Sequence, residues 1–285
     1  MRKTLFVSDL DGTLLDSEAK LSERTVDLLN AAIRMGANFT VATARTSATV
    51  DVLLKKVEMK LPAIVMTGAA MWHFEERRYS DLHFFIREDV EWLLRLFSEM
   101  KVYPFVYTLP LDSGADNHTY ILNVYYSNPH PSDADKKFIS LRNHLPLKRF
   151  IHAQPPEDVK SRTLLFFASG PMESLNELSS VISSERPSLS FSNYADVYNP
   201  GLGLIEVFAP NVSKALAIKK LKEELGMDKV VVFGDNLNDL PMFEIADVAV
   251  AVSNAAPETL SSADVIIGPN TSDSVARYIL SRFEK

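Results

Sequence analysis

Short apolar stretches alternate with amphipathic ones at both ends of this chain, and this alternation restricts the fold more than any other feature of the sequence. Near the start, residues 4–8 and 37–42 have the apolar, β-branched character of buried strands. Between them, apolar residues recur at helical spacing after Ser22, a favourable N-cap, as far as Gly36. Strands that alternate with helices over short connections are typical of βαβ units. We therefore predict an α/β fold with a parallel sheet.

The same alternation returns near the C-terminus, and the chain between the two α/β stretches has a different pattern. At the C-terminal end we predict strands over residues 203–208, 229–233, 247–252 and 264–267, and helices over residues 214–225 and 272–283. In the middle we predict a helix near residues 90–97, aromatic-rich strands over 103–108, 120–126 and 163–169, and helices over 132–145 and 171–183. The prediction is a core domain of residues 1–81 and 193–285, with an inserted α+β domain of residues 82–192.

Composition and charge exclude several functional classes. Cysteine is absent from the 285 residues, which excludes thiolate nucleophiles, zinc–thiolate sites and disulfides. The 30 basic and 37 acidic side chains give a net charge of −7, so neither nucleic acid nor an anionic membrane is an expected partner. No apolar run approaches the roughly 20 residues of a membrane span, and the run after Lys3 is too short for an export signal. We expect a cytoplasmic protein; the oligomeric state stays open.

Two carboxylates, Asp9 and Asp11, directly follow the first predicted strand. The carboxyl ends of parallel strands meet at the edge of the sheet where ligands bind. Because residues i and i+2 of an extended chain face the same way, we expect both carboxylates to face one small volume, with a cation beside them. For a bare Asp-x-Asp motif, the alternative is a pair of helix caps or a solvated turn.

A second acidic cluster follows the strand predicted over residues 229–233. The segment Gly-Asp-Asn-Leu-Asn-Asp places Asp235, Asn238 and Asp239 at the same edge of the sheet. Acidic residues are also common where a turn opens a helix. Taken together, the two clusters predict a site of oxygen ligands suited to Mg²⁺.

Two further side chains are candidates for binding an anion. Lys214 follows a plausible N-cap, Ser213, and so lies in the first turn of a helix, where the helix dipole disfavours a cation. A solvated surface would tolerate that small cost, whereas beside an acidic metal site the ammonium would hold a bound anion. Thr43 follows the second strand and offers a hydroxyl and neighbouring backbone N–H groups, although a lone threonine there is more often a turn or a cap residue.

Together these residues resemble the four motifs of the haloacid dehalogenase superfamily. The motifs are Asp9-Leu10-Asp11-Gly12-Thr13, then Thr43 after the second strand, then Lys214, and finally Gly234-Asp235 with Asn238-Asp239. The segments around Lys214 and from Gly234 to Met242 are similar to those of the Cof-type phosphatases. This resemblance implies a Rossmann-like parallel sheet core, with the inserted α+β domain as a cap that determines substrate specificity.

The resemblance also implies a role for each motif residue. Asp9 would be the nucleophile and Asp11 the general acid and base. Mg²⁺ would be bound by the Asp9 carboxylate, the backbone carbonyl of Asp11, Asp235 and, through water, Asp239. The residues that would hold the phosphate are Thr43, Ala44, Lys214 and Asn238. The implied reaction is the hydrolysis of a small phosphorylated metabolite, such as a sugar phosphate, through an aspartyl-phosphate.

Two positions depart from the family pattern. Ala44 stands where a glycine usually follows the threonine, and it would be strained if that position needed a positive φ. Thr67-Gly68 stands where Asn-Gly is common after the third strand.

Two other functions remain as alternatives to a phosphatase. A phosphomutase on the same scaffold would return the phosphoryl group to a bound sugar, and the sequence does not separate it from a phosphatase. A non-catalytic protein that binds a phosphorylated metabolite would be expected to lose Asp9, Asp11 or Asp235, and all three are present. A P-type ATPase is excluded, because that branch carries threonine at the position of Asp11 and needs membrane helices.

Overall fold

The computed structural model describes residues 3–110, 121–195 and 201–284, and the chain forms two compact units. The core unit consists of Met1–Glu76 and Ser213–Lys285, and the inserted unit consists of Arg77–Val212. Within the described residues, no helix has the length and apolar character needed to cross a membrane.

Strands and helices follow the predicted alternation at both ends of the chain. In chain order, the described strands are β1 (Thr4–Ser8), β2 (Asn38–Val41), β3 (Ala63–Val65), β4 (Ala70–His73), β5 (Arg78–Ser80), β6 (Phe105–Thr108), β7 (Leu122–Tyr126), β8 (Lys148–His152), β9 (Thr163–Pro171), β10 (Leu189–Ala195), β11 (Leu202–Pro210), β12 (Lys229–Gly234), β13 (Val248–Val252) and β14 (Val265–Ile267). The described α-helices are α1 (Glu23–Arg34), α2 (Ser47–Leu53), α3 (Arg87–Glu99), α4 (Asp133–Ser140), α5 (Met172–Glu185), α6 (Lys214–Glu224), α7 (Leu240–Glu244), α8 (Pro257–Ser261) and α9 (Ser274–Ser281).

A five-stranded parallel sheet in the order β14-β13-β12-β1-β2 forms the centre of the core unit. Nearly every residue of β1 and β12 is buried, which explains why the middle of each strand is a continuous apolar run and does not alternate with polar residues. β3 adjoins the sheet through a single parallel bridge between Ala42 and Ile64, and it pairs with β4 in antiparallel fashion. The predicted α/β fold with a parallel sheet is confirmed.

The register between β1 and β12 brings the two acidic clusters to one edge of this sheet. Ser8 lies opposite Phe233, so Asp9 and Asp235 follow at the carboxyl ends of neighbouring parallel strands. Parallel strands that pair directly deliver their following residues to the same place, as the sequence analysis assumed.

Helix α1 begins and ends where the sequence predicts. The Ser22 hydroxyl accepts a hydrogen bond from the backbone N–H of Thr25 at 2.8 Å, and the chain leaves the helix through Gly36, whose φ is +101°. The apolar side of the helix, which includes Leu29 and Ile33, is buried. Such a helix owes most of its stability to packing of that side.

A six-stranded sheet in the order β10-β11-β9-β6-β7-β8 forms the centre of the inserted unit. Its neighbouring strands are antiparallel, apart from the parallel pair β7 and β8. Aromatic side chains pack on both faces. The ring centroid of Phe166 lies 5.8 Å from that of Phe97 in α3, and the centroid of Phe105 lies 4.9 Å from that of Phe138 in α4. This mixture of helices and strands agrees with the predicted α+β insertion.

The chain returns to the core unit at Ser213, whereas the sequence pattern placed the return at residue 193. Residue 193 lies inside β10. The next strand, β11, was expected in the core sheet, but it pairs with β9 and β10 of the inserted unit. The first boundary also differs, since the inserted unit begins at Arg77 and not at residue 82. An apolar pattern indicates that a strand is buried but not which sheet it joins, and this explains the difference.

Element ends differ from the prediction elsewhere by a few residues. The helix predicted over residues 132–145 is α4, which is eight residues long. Pro171 ends β9 and is the N-cap of α5, where the sequence predicted it inside the first helical turn. Tyr120, predicted as the first residue of a strand, lies outside the described residues. The strands that the sequence analysis missed are β4, β5, β8 and β10.

Candidate active site

Asp9 lies directly after β1, at the carboxyl edge of the core sheet. The backbone N–H of Asp9 donates to the carbonyl of Phe233 at 3.0 Å, and the backbone carbonyl of Asp9 accepts from the Ser8 hydroxyl at 2.7 Å. The side chain is only 9% exposed. The backbone therefore fixes this carboxylate, and the surrounding residues largely exclude water from it.

Lys214 is the first residue of α6. The preceding Ser213 caps the helix, since its hydroxyl accepts a hydrogen bond from the backbone N–H of Leu216 at 3.1 Å. The buried Lys214 Nζ donates to Oδ1 of Asp9 at 2.6 Å and to Oδ1 of Asp239 at 2.9 Å. These two charge-assisted bonds offset the small cost of a cation at a helix N-terminus. The structure thus places Lys214 within the acidic site and not on a solvated surface.

The turn after β12 orients the carboxylate of Asp239. Its Oδ2 accepts hydrogen bonds from the backbone N–H groups of Asp235 at 3.1 Å and Asn236 at 3.3 Å. Gly234 leaves the necessary room, because a Cβ at that position would lie 2.7 Å from the Cβ of Asp239. Asp239 is fully buried, with one oxygen on the turn and the other on Lys214.

The first motif holds the carboxylate of Asp235. The Thr13 hydroxyl donates to Oδ1 of Asp235 at 2.8 Å. Gly12 permits the close approach, since its φ is +78° and a Cβ there would lie 2.3 Å from Oδ2 of Asp235. The glycine and threonine of the Asp-x-Asp-Gly-Thr motif therefore position a residue of the last motif.

Asp9, Asp235 and Asp239 form a compact acidic cluster, in which one carboxylate oxygen from each residue lies within 4.8 Å of the other two. Burial raises the pKa of Asp9 to about 8; Lys214 opposes the shift, and the charges of Asp239 and Asp235 add to it. Burial likewise raises the pKa of Asp235 to about 6. For Lys214, burial alone would lower the pKa, but the charges of Asp239 and Asp9 outweigh it and raise the pKa.

Three closely spaced carboxylates share a single ammonium in this cluster, so negative charge is in excess. Oxygen ligands with an excess of negative charge are the donors that a hard divalent cation prefers. Burial is also the largest cause of the raised pKa values of Asp9 and Asp235, and each carboxylate is further disfavoured by the charge of Asp239. The three aspartates could therefore hold a metal ion.

The Asp11 carboxylate is not part of this cluster. Both of its oxygens accept hydrogen bonds from Arg45, from Nε to Oδ2 at 2.7 Å and from Nη2 to Oδ1 at 2.5 Å. Asp9 and Asp11 therefore do not form the expected pair of carboxylates around one small volume, because the chain leaves the extended conformation at Leu10, where the irregular turn Leu10–Leu14 begins. A metal-binding role for the backbone carbonyl of Asp11 stays a prediction.

Thr43 follows β2, and its polar groups are engaged locally. Its backbone N–H donates to the carbonyl of Ile64 at 3.0 Å, and its hydroxyl accepts from the backbone N–H of Arg45 at 3.1 Å. Ala44 is not among the described residues with a positive φ, so the absence of glycine there causes no strain. Phosphate binding by Thr43 and Ala44 stays a prediction.

Asn238 is exposed on the short turn Leu237–Asp239. The hydrogen bonds of Lys214 go to Asp9 and Asp239 and not to this asparagine. Its expected part in placing the phosphate or Lys214 stays a prediction.

Sequence reasoning missed two residues that hold the first motif. Arg45 binds Asp11, and Asn254, in the loop after β13, donates from Nδ2 to the carbonyl of Gly12 at 2.9 Å. Oδ1 of Asn254 also accepts from the backbone N–H of Asn270 at 2.9 Å. The sequence could have indicated Arg45, because it is a charged residue only two positions after Thr43, at the edge of the sheet where ligands bind. No local pattern distinguishes Asn254.

The chain matches the family model of haloacid dehalogenase-like hydrolases over residues 6–279. It belongs to this family. The resemblance seen in the motifs is thereby confirmed, and the order of the motif residues at the sheet edge agrees with it.

Curated relatives of this haloacid dehalogenase-like chain align over nearly its whole length. A putative phosphatase of Haemophilus influenzae is 25% identical over 99% of both chains. Pyridoxal phosphate phosphatase YbhA of Escherichia coli is 22% identical, again over 99% of each chain. Endoribonuclease YBEY, chloroplastic, of Arabidopsis thaliana is 26% identical over 95% of this chain, which spans 45% of the length of that protein.

A solved structure also resembles the chain along its full length. A haloacid dehalogenase-like hydrolase from Bacteroides thetaiotaomicron has a TM-score of 0.78 and 21% identity, covering 99% of this chain and all of that one. At this identity the likeness shows the fold. The predicted haloacid dehalogenase fold is confirmed.

Proposed function

We propose that this protein is a Mg²⁺-dependent phosphatase that hydrolyses small phosphorylated metabolites through an aspartyl-phosphate. The observation that carries the proposal is the position of Lys214, whose Nζ joins Asp9 and Asp239 beside Asp235. Attack by a carboxylate on a phosphate ester brings two anions together, and a buried ammonium beside the nucleophile offsets their repulsion. Relatives named as phosphatases support this reaction class.

In the first half of the reaction, Asp9 is the nucleophile. One carboxylate oxygen attacks the phosphorus while the bond between phosphorus and the ester oxygen breaks. Lys214 compensates the charge of the phosphoryl oxygens. Asp11, in its protonated form, gives its proton to the departing oxygen. The products are the free alcohol and a phosphoryl group bonded to Asp9.

In the second half, water replaces Asp9 on the phosphorus. Asp11 is now the base and removes a proton from the water molecule, whose oxygen attacks the phosphorus. The bond between phosphorus and the Asp9 oxygen breaks and inorganic phosphate is released. Asp9 is again a carboxylate and Asp11 is again protonated, so the residues return to their starting state.

The acidic cluster fits Mg²⁺ because it presents buried carboxylate oxygens and an excess of negative charge. Asp9, Asp235 and the backbone carbonyl of Asp11 would hold the ion, and Asp239 would act through water. When bound, Mg²⁺ supplies charge neutralisation at the phosphoryl oxygens. The residues proposed to hold the phosphate are Thr43, Ala44, Lys214 and Asn238.

For the substrate we propose a small phosphorylated metabolite of the cytoplasm, of the sugar phosphate type. The inserted unit is the proposed cap that selects the leaving group, as the resemblance implies. Pyridoxal phosphate is the substrate named for one relative, which shows that small phosphate esters other than sugars belong in the test.

Phosphate release from an aryl phosphate, in Mg²⁺ and in EDTA, tests the reaction class. The proposal predicts turnover by the wild type in Mg²⁺ only, and its loss in Asp9→Asn. A panel of sugar phosphates and pyridoxal phosphate then addresses the substrate. A wild-type protein that releases no phosphate from any of these esters in Mg²⁺ contradicts the proposal. Isomerisation of a hexose phosphate without free phosphate identifies a mutase.

A further inference from the structure

Arg45 and Asp11 form a two-pronged ion pair in the core unit. Nε of Arg45 donates to Oδ2 of Asp11 at 2.7 Å, and Nη2 donates to Oδ1 at 2.5 Å. Paired parallel bonds between a guanidinium and a carboxylate fix the orientation of both planar groups, which a single bond from a lysine cannot do.

The backbone of Arg45 is anchored in the loop that carries Thr43. Its N–H donates to the Thr43 hydroxyl at 3.1 Å, and its carbonyl accepts from the backbone N–H of Met66 at 2.9 Å. Arg45 therefore joins the loop after β2 to the loop after β1. It projects from a fixed backbone onto the carboxylate to which we assign proton transfer.

Stability alone gives a weak reason for this pair. The side chain of Asp11 is 54% exposed and that of Arg45 is 25% exposed. Ion pairs that solvent reaches contribute little to folding stability. In addition, the backbone of the Asp11 segment is held independently, since Asn254 donates to the carbonyl of Gly12 at 2.9 Å. What Arg45 adds is the orientation of the Asp11 carboxylate.

We propose that Arg45 is a positioning residue, which holds Asp11 in the orientation from which it transfers a proton to the leaving group. This inference rests on the proposed phosphatase function and extends it to a residue outside the motif roles given above. Because both oxygens of Asp11 accept from Arg45, one of the two hydrogen bonds opens so that the freed oxygen takes up a proton from solvent, and this is the proton that Asp11 gives to the leaving oxygen. The other bond remains as the pivot.

Leaving groups of different basicity distinguish this role from a structural one. A nitrophenyl phosphate releases a stable phenolate that needs no proton, whereas an alkyl phosphate, such as a sugar phosphate turned over by the wild type, releases an alkoxide that needs one. Positioned acid catalysis contributes about 10²–10⁴-fold to a rate. In Arg45→Met we expect kcat on the alkyl ester to fall at least about 10-fold more than kcat on the aryl ester. Arg45→Lys, which keeps one donor, should recover part of the difference.

The control is Arg34→Met, which removes another arginine–carboxylate pair of the core unit, between Arg34 at the end of α1 and Glu58. It should leave the ratio of the two rates unchanged. In Asp11→Asn the same preference for the aryl ester should appear, and adding Arg45→Met to it should cause little further loss on the alkyl ester.

Equal losses on both esters in Arg45→Met and in Arg45→Lys, or a change confined to KM, would overturn the inference while wild-type turnover leaves the phosphatase function standing. A wild type that is inert on both esters overturns the proposed function itself. If Arg45→Met does not fold, as judged by its thermal melt, the aryl-to-alkyl ratio of Arg45→Lys decides the question.

Discussion

Nζ of Lys214 lies 2.6 Å from Oδ1 of Asp9, although 205 residues separate the two positions in the chain. Both side chains are almost completely buried, at 5% and 9% exposure. The pair joins the end of β1 to the start of α6, and the whole inserted unit lies between these two elements in the sequence. Since the same ammonium also bonds Asp239, its removal would leave two buried carboxylates without a counter-charge.

We predict that Lys214→Met lowers both activity and stability. The rate should fall by about 10²–10³-fold, as for loss of a preorganised donor at a charged transition state. In EDTA, the free energy of unfolding should fall by about 3 kcal/mol, because a buried ion pair is broken on one side only. Phosphate release and urea unfolding measure the two effects.

The matched control for Lys214 is Lys219→Met, an exposed lysine of the same helix. It should change neither the rate nor the urea midpoint appreciably. If Lys214→Met had the same rate and the same urea midpoint as Lys219→Met, the ion pairs of Lys214 would contribute neither to activity nor to stability. The proposed site would then lose its main support.

A second prediction concerns the metal ion. Mg²⁺ should raise the melting temperature of the wild type, because an ion that binds the folded cluster and not the unfolded chain stabilises the fold. Asp235→Asn removes one carboxylate of the cluster and should abolish that rise, together with the heat of Mg²⁺ binding in calorimetry. Asp27→Asn, on the exposed side of α1, should retain both. Equal stabilisation of the two variants by Mg²⁺ would place the ion elsewhere.

The acidic cluster was predictable from the sequence because its position follows from the direction of two neighbouring parallel strands. Once β1 and β12 are recognised as buried parallel strands, Asp9 and Asp235 must follow them at one edge, and the structure places them there. Asp239 follows because the turn after β12 is short. The position of Lys214 inside the acidic site could not be decided from the sequence, because a lysine at the solvated start of a helix would give the same pattern. The two ion pairs in the structure distinguish these alternatives.

Contacts between distant segments were not predictable in the same way. No local pattern indicates that Asn254 reaches the carbonyl of Gly12, 242 residues away. The sequence also did not indicate which sheet β11 joins, because its apolar residues are compatible with burial in either sheet. For Asp11, the assumption of an extended chain failed at Leu10, where the irregular turn Leu10–Leu14 begins directly after Asp9.

A third prediction concerns Gly68, which follows β3. Its φ is +100°, and a Cβ there would lie 2.5 Å from the carbonyl oxygen of Ser213, the residue that caps α6. Gly68→Ala should therefore displace the start of the helix that carries Lys214. We expect a loss of stability well above the roughly 1–2 kcal/mol that a left-handed alanine costs, together with a reduced rate.

Gly36→Ala separates these two contributions. Gly36 has a similar φ of +101°, but among the described residues no atom beyond its own chain neighbours lies within 4 Å of a Cβ built there. It should show the cost of the backbone conformation alone, with an unchanged rate. If urea unfolding gave the same midpoint for both variants, the contact with Ser213 would not constrain the site.

The last prediction concerns Lys148, the first residue of β8 in the inserted unit. It is 6% exposed, and its Nζ lies 5.3 Å from the ring centroid of Tyr107. Burial, with a smaller contribution from Arg142, lowers the pKa of Lys148 to about 7, against roughly 10.4 in an unfolded chain. Between these values the unfolded chain binds more protons than the folded one, so this residue makes stability rise as the pH rises from 7 to 10.

Lys148→Met should remove that contribution. At pH 7 the variant should be more stable than the wild type by at least about 1 kcal/mol, because the cost of burying an ammonium or deprotonating it disappears. The advantage should shrink as the pH approaches 10. Urea unfolding at a series of pH values measures the difference, with the exposed Lys137→Met of α4 as the control that should follow the wild type. A variant less stable than the wild type at pH 7 would show that the aromatic neighbours of Lys148 stabilise its charged form.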